Sequence, residues 1–181
     1  MSVGPIMAPK DRITDVLAFW FHDHGESDWF AQSDEFDLII RDRFSDLHAD
    51  AKSGKLSSWR DTPEGRLAEI IILDQFSRNM FRGMAESFAC DNRALELAKQ
   101  AIKEGDDQKL DYRMRPFIYV PFMHSESPSD HEEAMQLYEA LGNEENLKFE
   151  RLHKDVIERF GRYPHRNKML GRVSTTAEKN F

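Results

Sequence analysis

Cysteine is nearly missing from this chain: Cys90 is the one thiol in 181 residues. A single thiol cannot close an intramolecular disulfide, and it cannot build a multi-cysteine metal centre. Long apolar runs are missing too, since no stretch approaches the roughly 20 residues that span a bilayer. The opening "MSVGPIMAPK" has neither the apolar stretch nor the cleavage pattern of a secretory signal. Together these absences make a reducing cytoplasm the expected home and a membrane an unexpected partner. Positive charge is also in short supply. The 25 Lys and Arg face 33 Asp and Glu, a formal net charge of -8. That balance argues against nucleic acid as a partner, because such affinity rests on neutralising phosphates. The acidity is uneven, however: from Arg151 to Arg172 seven Lys or Arg face only Asp155 and Glu158.

What is present reads as one globular domain over 1–181, long enough to bury roughly two-thirds of its unfolded surface. Residues 1–9 are expected to be flexible, and 162–181 to be mostly loop packed on a helical body. Helical periodicity dominates between these ends. Asp11 to Phe21 aligns Ile13, Val16, Leu17 and Trp20. Ser33 is placed to cap a helix with Phe36, Ile39, Ile40, Phe44 and Leu47 on one face, ending near Gly54. Thr62 and Pro63 open a third, whose apolar residues Leu67, Ile70–Leu73 and Phe76 cover more than one face, as in a buried helix. Asp91 is placed to cap a fourth, with Leu95, Ala98 and Ile102 as its stripe and Gly105 as its stop. A helix is expected from Pro116, broken around Pro121, because two prolines five apart argue against a paired strand. "SDHEEAMQLYEALG" and "NEENLKFERLHKDVIERFG" supply the last two, each closed by a glycine. No convincing strand and no fixed-period repeat appears, so the fold class is all-α, with short connections favouring antiparallel neighbours.

Three segments hold the chemistry. In "IIILDQFSRNMFRG" a greasy run ends in Asp74, Gln75, Arg78, Asn79 and Arg82. Asp74 and Arg78 are four apart, as are Gln75 and Asn79, so each pair shares a helix face. On a buried helix such charges must be paired or they cost several kcal/mol. The segment is therefore either an internal latch or the wall of a polar pocket. "RFGRYPHRNKMLGR" offers Arg162, His165, Arg166, Asn167 and Arg172. Arginine forks suit carboxylates and phosphates, although basic loops also simply neutralise helix C-termini. "PFMHSES" brings His124, Ser125 and Glu126. His153 falls on what reads as the inward face of the last helix, beside Phe149, Leu152, Val156, Ile157 and Phe160, where a buried imidazole needs a partner. No HExxH spacing, nucleophile elbow, Walker loop or G-x-G-x-x-G loop exists. Neither a metal nor a cofactor is expected.

Taken together, "VLAFWF", "GRLAEIIILDQFSRNMFRG", "FACDNRALELA", "PFIYVPFMHSES" and "ERFGRYPHRNKMLGRVSTTAE" resemble the bacterial family known as domain of unknown function 924. The resemblance runs along nearly the whole chain in order. It implies an all-α array of seven to nine helices in antiparallel pairs, similar to a tetratricopeptide superhelix. The family's motif positions map onto Asp74, Gln75, Arg78, Asn79 and Arg82, onto His124, Ser125 and Glu126, and onto Arg162, His165, Arg166, Asn167, Gly171 and Arg172. Ser77 departs from the proline usual after D-Q-F in that family. The resemblance supplies a fold and positions, not a reaction.

Three roles remain open on the sequence. The first is a site for a small phosphate- or carboxylate-bearing ligand, with or without catalysis. There Arg78, Arg82, Arg162 and Arg166 would clamp the anion, His124 or His165 would be the acid/base, Asp74 and Glu126 would support them, and His153 would stand behind. The second is a peptide- or protein-binding groove of the tetratricopeptide kind. The third is a structural lock pinning the C-terminal loop to the central helix.

Overall fold

The computed structural model describes residues 9–181, and among them there is no strand. The fold is all-α. The expected flexibility of 1–9 therefore falls almost wholly on positions outside the described residues. Helix α1 (Pro9–Ala18) runs into a π turn, Phe19–Asp23, and a short α2 (Glu26–Trp29) follows. The π turn brings Phe19, Trp20 and Phe21 all into the core, where three consecutive residues of an α-helix would spread over most of its circumference. Trp29 stacks on Trp20, ring centroids 5.6 Å apart.

Helix α3 (Asp34–Lys52) begins where the Ser33 hydroxyl accepts from Phe36 N at 3.2 Å and ends before Gly54, whose φ is +80°. Its buried stripe is Phe36, Asp37, Ile40, Phe44, Leu47, His48 and Ala51. Ile39, expected on that stripe, is instead exposed, because the face is centred on Ile40 and Phe44. Helix α4 (Pro63–Ile71) starts at Thr62, which accepts from Gly65 N at 3.1 Å. It continues through a second π turn, Ile72–Phe76, into α5 (Ser77–Met80). Leu67, Ala68, Ile70 through Leu73 and Phe76 are fully buried. Burying a Leu or Ile side chain stabilises by about 1.5–3 kcal/mol, so this rod is the axis of the core. It packs against α1, α3, α6 and α7.

Helix α6 (Asp91–Lys103) faces that rod with Ala94, Leu97, Ala98 and Ala101, one position round from the expected stripe; Leu95 and Ile102 sit at its edge. Small side chains there let the helices approach closely. Cys90, not Asp91, occupies the N-cap position. Helix α7 (Pro116–Met123) is not broken at Pro121 but passes through it for another two residues. Helices α8 (Pro128–Leu141) and α9 (Glu144–Phe160) complete a succession in which α6, α7, α8 and α9 each pack on the next. The expected inward face of α9 is corrected: Leu147, Glu150 and Ile157 are buried, whereas Phe149 and Leu152 are 45% and 53% exposed. The cause is His131 on α8, whose Nδ1 meets Glu150 Oε1 at 2.7 Å with both side chains fully buried. A buried polar pair that must be satisfied inside sets the roll of the helix. The tail holds a turn of 3-10 helix at Pro164–Arg166 and a final α10 (Thr176–Lys179) opened by a Thr175–Glu178 capping box.

Candidate functional site

The π turn in the central rod is where the site begins. A widened turn shifts the register of the residues after it, and Asp74, 1% exposed, lies within it. Its Oδ1 is 2.7 Å from His124 Nδ1 at the end of α7 and 3.1 Å from Arg78 Nη1. Its Oδ2 accepts from Gln75 Nε2 at 2.6 Å. Arg78 also grips Asp91, at the start of α6, through two parallel bonds of 2.9 and 3.1 Å. Arg166, from the 3-10 turn of the tail, joins at the same carboxylate, Nη1 to Asp91 Oδ2 at 3.3 Å, and donates from Nη2 to the His124 carbonyl at 2.9 Å. Its guanidinium lies 4.7 Å from the Phe88 ring centroid and 4.5 Å from that of Tyr163. Four segments distant in sequence thus meet at one point.

Burial opposes ionisation of Asp74, but Arg78 and His124 together outweigh it and hold the carboxyl well below the usual carboxylate range. Burial, with Arg78 adding to it, lowers His124 from its ordinary value against the pull of Asp74. The consequence is a defined tautomer. An ionised carboxylate only accepts, so Nδ1 of a neutral His124 must hold the proton, and Nε2 is left with its lone pair. No described side chain bonds Nε2, and the residue lines a cavity of about 240 Å³. The same cavity is bounded by Asp91, Asn92, Glu126 and Arg166 and by the apolar Phe88 and Leu95. An imidazole oriented in this way by a buried carboxylate presents an accepting nitrogen to whatever enters the cavity.

Its neighbours in "MHSE" are otherwise engaged. The Ser125 hydroxyl donates to Asp130 at 2.6 Å and accepts from Ser127 N at 3.1 Å, which leaves it no proton-accepting histidine. Glu126 takes Arg172 at 2.6 and 2.9 Å and the Tyr163 amide at 2.8 Å. Burial raises its pKa, and Arg172 with the Tyr163 amide brings it below the ordinary value. Glu126 therefore ties the tail to α7 as a carboxylate.

The expected four-arginine clamp is not assembled. Arg78 and Arg166 meet, but Arg82 turns to Asp37 on α3, Nε to Oδ2 at 2.5 Å, and Asn79 reaches the same carboxylate at 2.7 Å. The expected Gln75–Asn79 row does not form, since the π turn sends these side chains to different neighbours. Arg162 bonds Glu178 at 2.6 and 2.8 Å and stays in the tail. Asn167 is buried there, accepting from Arg172 at 2.9 Å and donating to Ser174 at 3.1 Å. His165 is exposed and does not line the cavity. His153 bonds its own helix, Nδ1 to the Phe149 carbonyl at 2.8 Å. It lies with His165, Tyr163, Leu152 and Phe181 around a shallower hollow of about 190 Å³.

Asp91 is the residue that sequence reasoning misplaced. At the start of a helix an aspartate reads as a cap, and only the convergence of Arg78 and Arg166 gives it another task. The His131–Glu150 pair was likewise invisible, because each reads as one more polar residue of an exposed helix face, His131 within "SDHEE" and Glu150 beside Arg151. Among the described residues no group of three or more His, Cys, Asp or Glu is arranged to hold a metal ion, and no helix is long and apolar enough to cross a membrane.

The chain has a solved counterpart. The structure of a protein of unknown function from Agrobacterium tumefaciens is similar with a TM-score of 0.91 and 38% sequence identity, covering 96% of this chain and 97% of that one. No curated protein matches the chain. Residues 16–181 match the family described as bacterial protein of unknown function, DUF924. With the helical fold, the D-Q-F-x-R-N and R-Y-P-H-R-N segments and this match in agreement, the chain belongs to the DUF924 family.

Proposed function

We propose that the cavity between α6, α7 and the Tyr163–Arg172 loop is a binding site for a small molecule bearing one anionic group, carboxylate or phosphate, with His124 exchanging a proton with the ligand. The observation that carries this reading is the Asp74–His124 pair opening on the cavity beside Arg166. Asp74 orients the ring and favours its protonated form when the proton arrives; Arg166 anchors the anionic group by its Nη edge. Arg166 Nε is buried without an acceptor, an arrangement that costs about 1–3 kcal/mol when nothing relieves it. Such a cost is tolerated where a group serves a ligand. The volume supports a metabolite over a peptide: about 240 Å³ lies under the roughly 300–1,000 Å³ of sites for drug-sized ligands. At about 30 Å³ per water molecule it holds roughly eight waters, or a ligand of roughly ten non-hydrogen atoms.

A second reading has its own observation. Asp74, Asp91 and Glu126 already pair with Arg78, Arg166 and Arg172, as a structural lock requires. A thermal-shift screen of small carboxylates and phosphate esters separates the two, with Arg166→Lys and His124→Gln beside the wild type. A ligand at a hundred times its Kd adds about 2.7 kcal/mol, which raises the melting temperature by roughly 5–10 °C in a chain of this size. The site reading expects that shift to vanish in both variants while their ligand-free stability changes little. Variants that lose stability, with no compound shifting the wild type, leave only the lock.

A further inference from the structure

Among the charged and imidazole side chains that line the cavity the free hydrogen-bond acceptors outnumber the free donors, while the Asn92 amide offers both kinds, and this imbalance constrains the occupant. Asp91 accepts three bonds: one at Oδ1 from Arg78, and two at Oδ2 from Arg78 and Arg166. A carboxylate offers about four acceptor positions, so Oδ1 keeps one. Glu126 also accepts three, two at Oε1 and one at Oε2, so Oε2 keeps one. His124 Nε2 supplies a third acceptor, because the ring proton is committed to Asp74. On the donor side, Arg166 is the one cation among the cavity-lining residues, against the two carboxylates of Asp91 and Glu126. Each of its Nη atoms gives one bond to the protein and retains a second N–H.

A phosphate ester with two negative charges would meet one cation and two carboxylates on this wall. A simple carboxylate would satisfy Arg166 and leave three acceptors to water. A molecule that brings a carboxylate and an ammonium together answers both sides.

Resting on the small-molecule reading above, we infer that the occupant is a small zwitterion of the amino-acid class. Its carboxylate bonds the Nη edge of Arg166, and its ammonium faces Asp91, Glu126 and His124 Nε2. Its apolar side chain lies against Phe88, Leu95, Pro121 and Leu170, which form the greasy part of the wall. The ammonium position also gives His124 a defined partner. A neutral Nε2 can take one proton from the ammonium, leaving a free amine on the ligand and an imidazolium balanced by Asp74; the reverse transfer restores both.

The test is a binding comparison on the full chain by NMR titration and calorimetry. Aliphatic and aromatic L-amino acids are each paired with the carboxylic acid that lacks the amine, and inorganic phosphate is titrated alongside. The expected result is at least one amino acid binding tenfold or more tightly than its amine-free partner, with shifts at His124 and Asn92. In Glu126→Gln, which can still accept from Arg172 and the Tyr163 amide, that ratio should fall toward one while the plain acid binds no worse. Carboxylic acids or phosphate binding as tightly as every amino acid would overturn the zwitterion and leave the small-anion site standing. No saturable binding by any probe would overturn both.

Discussion

Asp74 shows at the residue scale how a single side chain can be structural and chemical together. It is the shared acceptor of His124, Arg78 and Gln75, and removing one member of a buried charged set leaves the others unpaired. Asp74→Asn should therefore destabilise the fold, at the low end of the roughly 3–5 kcal/mol typical of broken buried pairs, because Arg78 keeps Asp91. The midpoint of urea unfolding measures this, and a variant with the wild-type midpoint would deny Asp74 its central place. The same substitution frees the His124 tautomer, since an amide can accept from or donate to Nδ1. The pairing of Asp74 with Arg78 was legible in the sequence, as a four-residue spacing on a greasy helix. Its pairing with His124 was not, because no local pattern tells which of seven histidines will lie 50 positions away in the chain and 2.7 Å away in space.

At the element scale the central rod decides the geometry. Its start is legible: Thr62 caps, Pro63 follows, and Gly65 comes two places later. What the sequence hides is why that glycine is needed. A Cβ at position 65 would sit 2.0 Å from the Trp59 carbonyl oxygen, a backbone atom with no freedom to retreat. Gly65→Ala should therefore destabilise the protein despite the better helix propensity of alanine. A cost above the roughly 1–3 kcal/mol of ordinary overpacking is expected, and thermal unfolding would register it as a loss of several degrees. An unchanged melting temperature would mean that the 3-10 turn at Ser57–Asp61 moves freely. The π turns at Phe19–Asp23 and Ile72–Phe76 were also beyond sequence reading. An apolar run with no clean 3.6-residue period fits a buried α-helix as well as one with an inserted residue. Yet the second of these turns sends Asn79 to Asp37 and not along a row with Gln75.

For the whole molecule, the buried ionisable groups make stability depend on pH in a definite direction. Burial lowers His48 and His124 below the ordinary imidazole value, which is about 6.5 in an unfolded chain. The unfolded state then binds more protons than the native state below that pH, so stability falls as pH drops through about 6.5. Asp37, Asp74 and Glu126 are all held below the ordinary carboxylate range by their cationic partners. Their contribution is complete above about pH 4–5 and is lost on further acidification. Melting temperature should thus decline modestly between pH 7 and 5 and steeply below about pH 4. A profile flat from 7 to 5 would contradict the histidine step, and one that stays flat on acidification below about pH 4 would contradict the carboxylate step.

Local sequence was enough for the helical class, the caps at Ser33 and Thr62, the stops at Gly54, Gly142 and Gly161, and the burial of the Ile70–Leu73 run and Phe76. These depend on interactions within a few residues, which spacing records. Packing of the whole chain was needed for Arg78 and Arg166 to share Asp91 while Arg82 and Arg162 go elsewhere, and for α9 to roll so that it buries Glu150 with His131. An arginine reaches any carboxylate within several ångströms of its helix. Which carboxylate that is depends on how the helices pack, and packing is a property of the whole core.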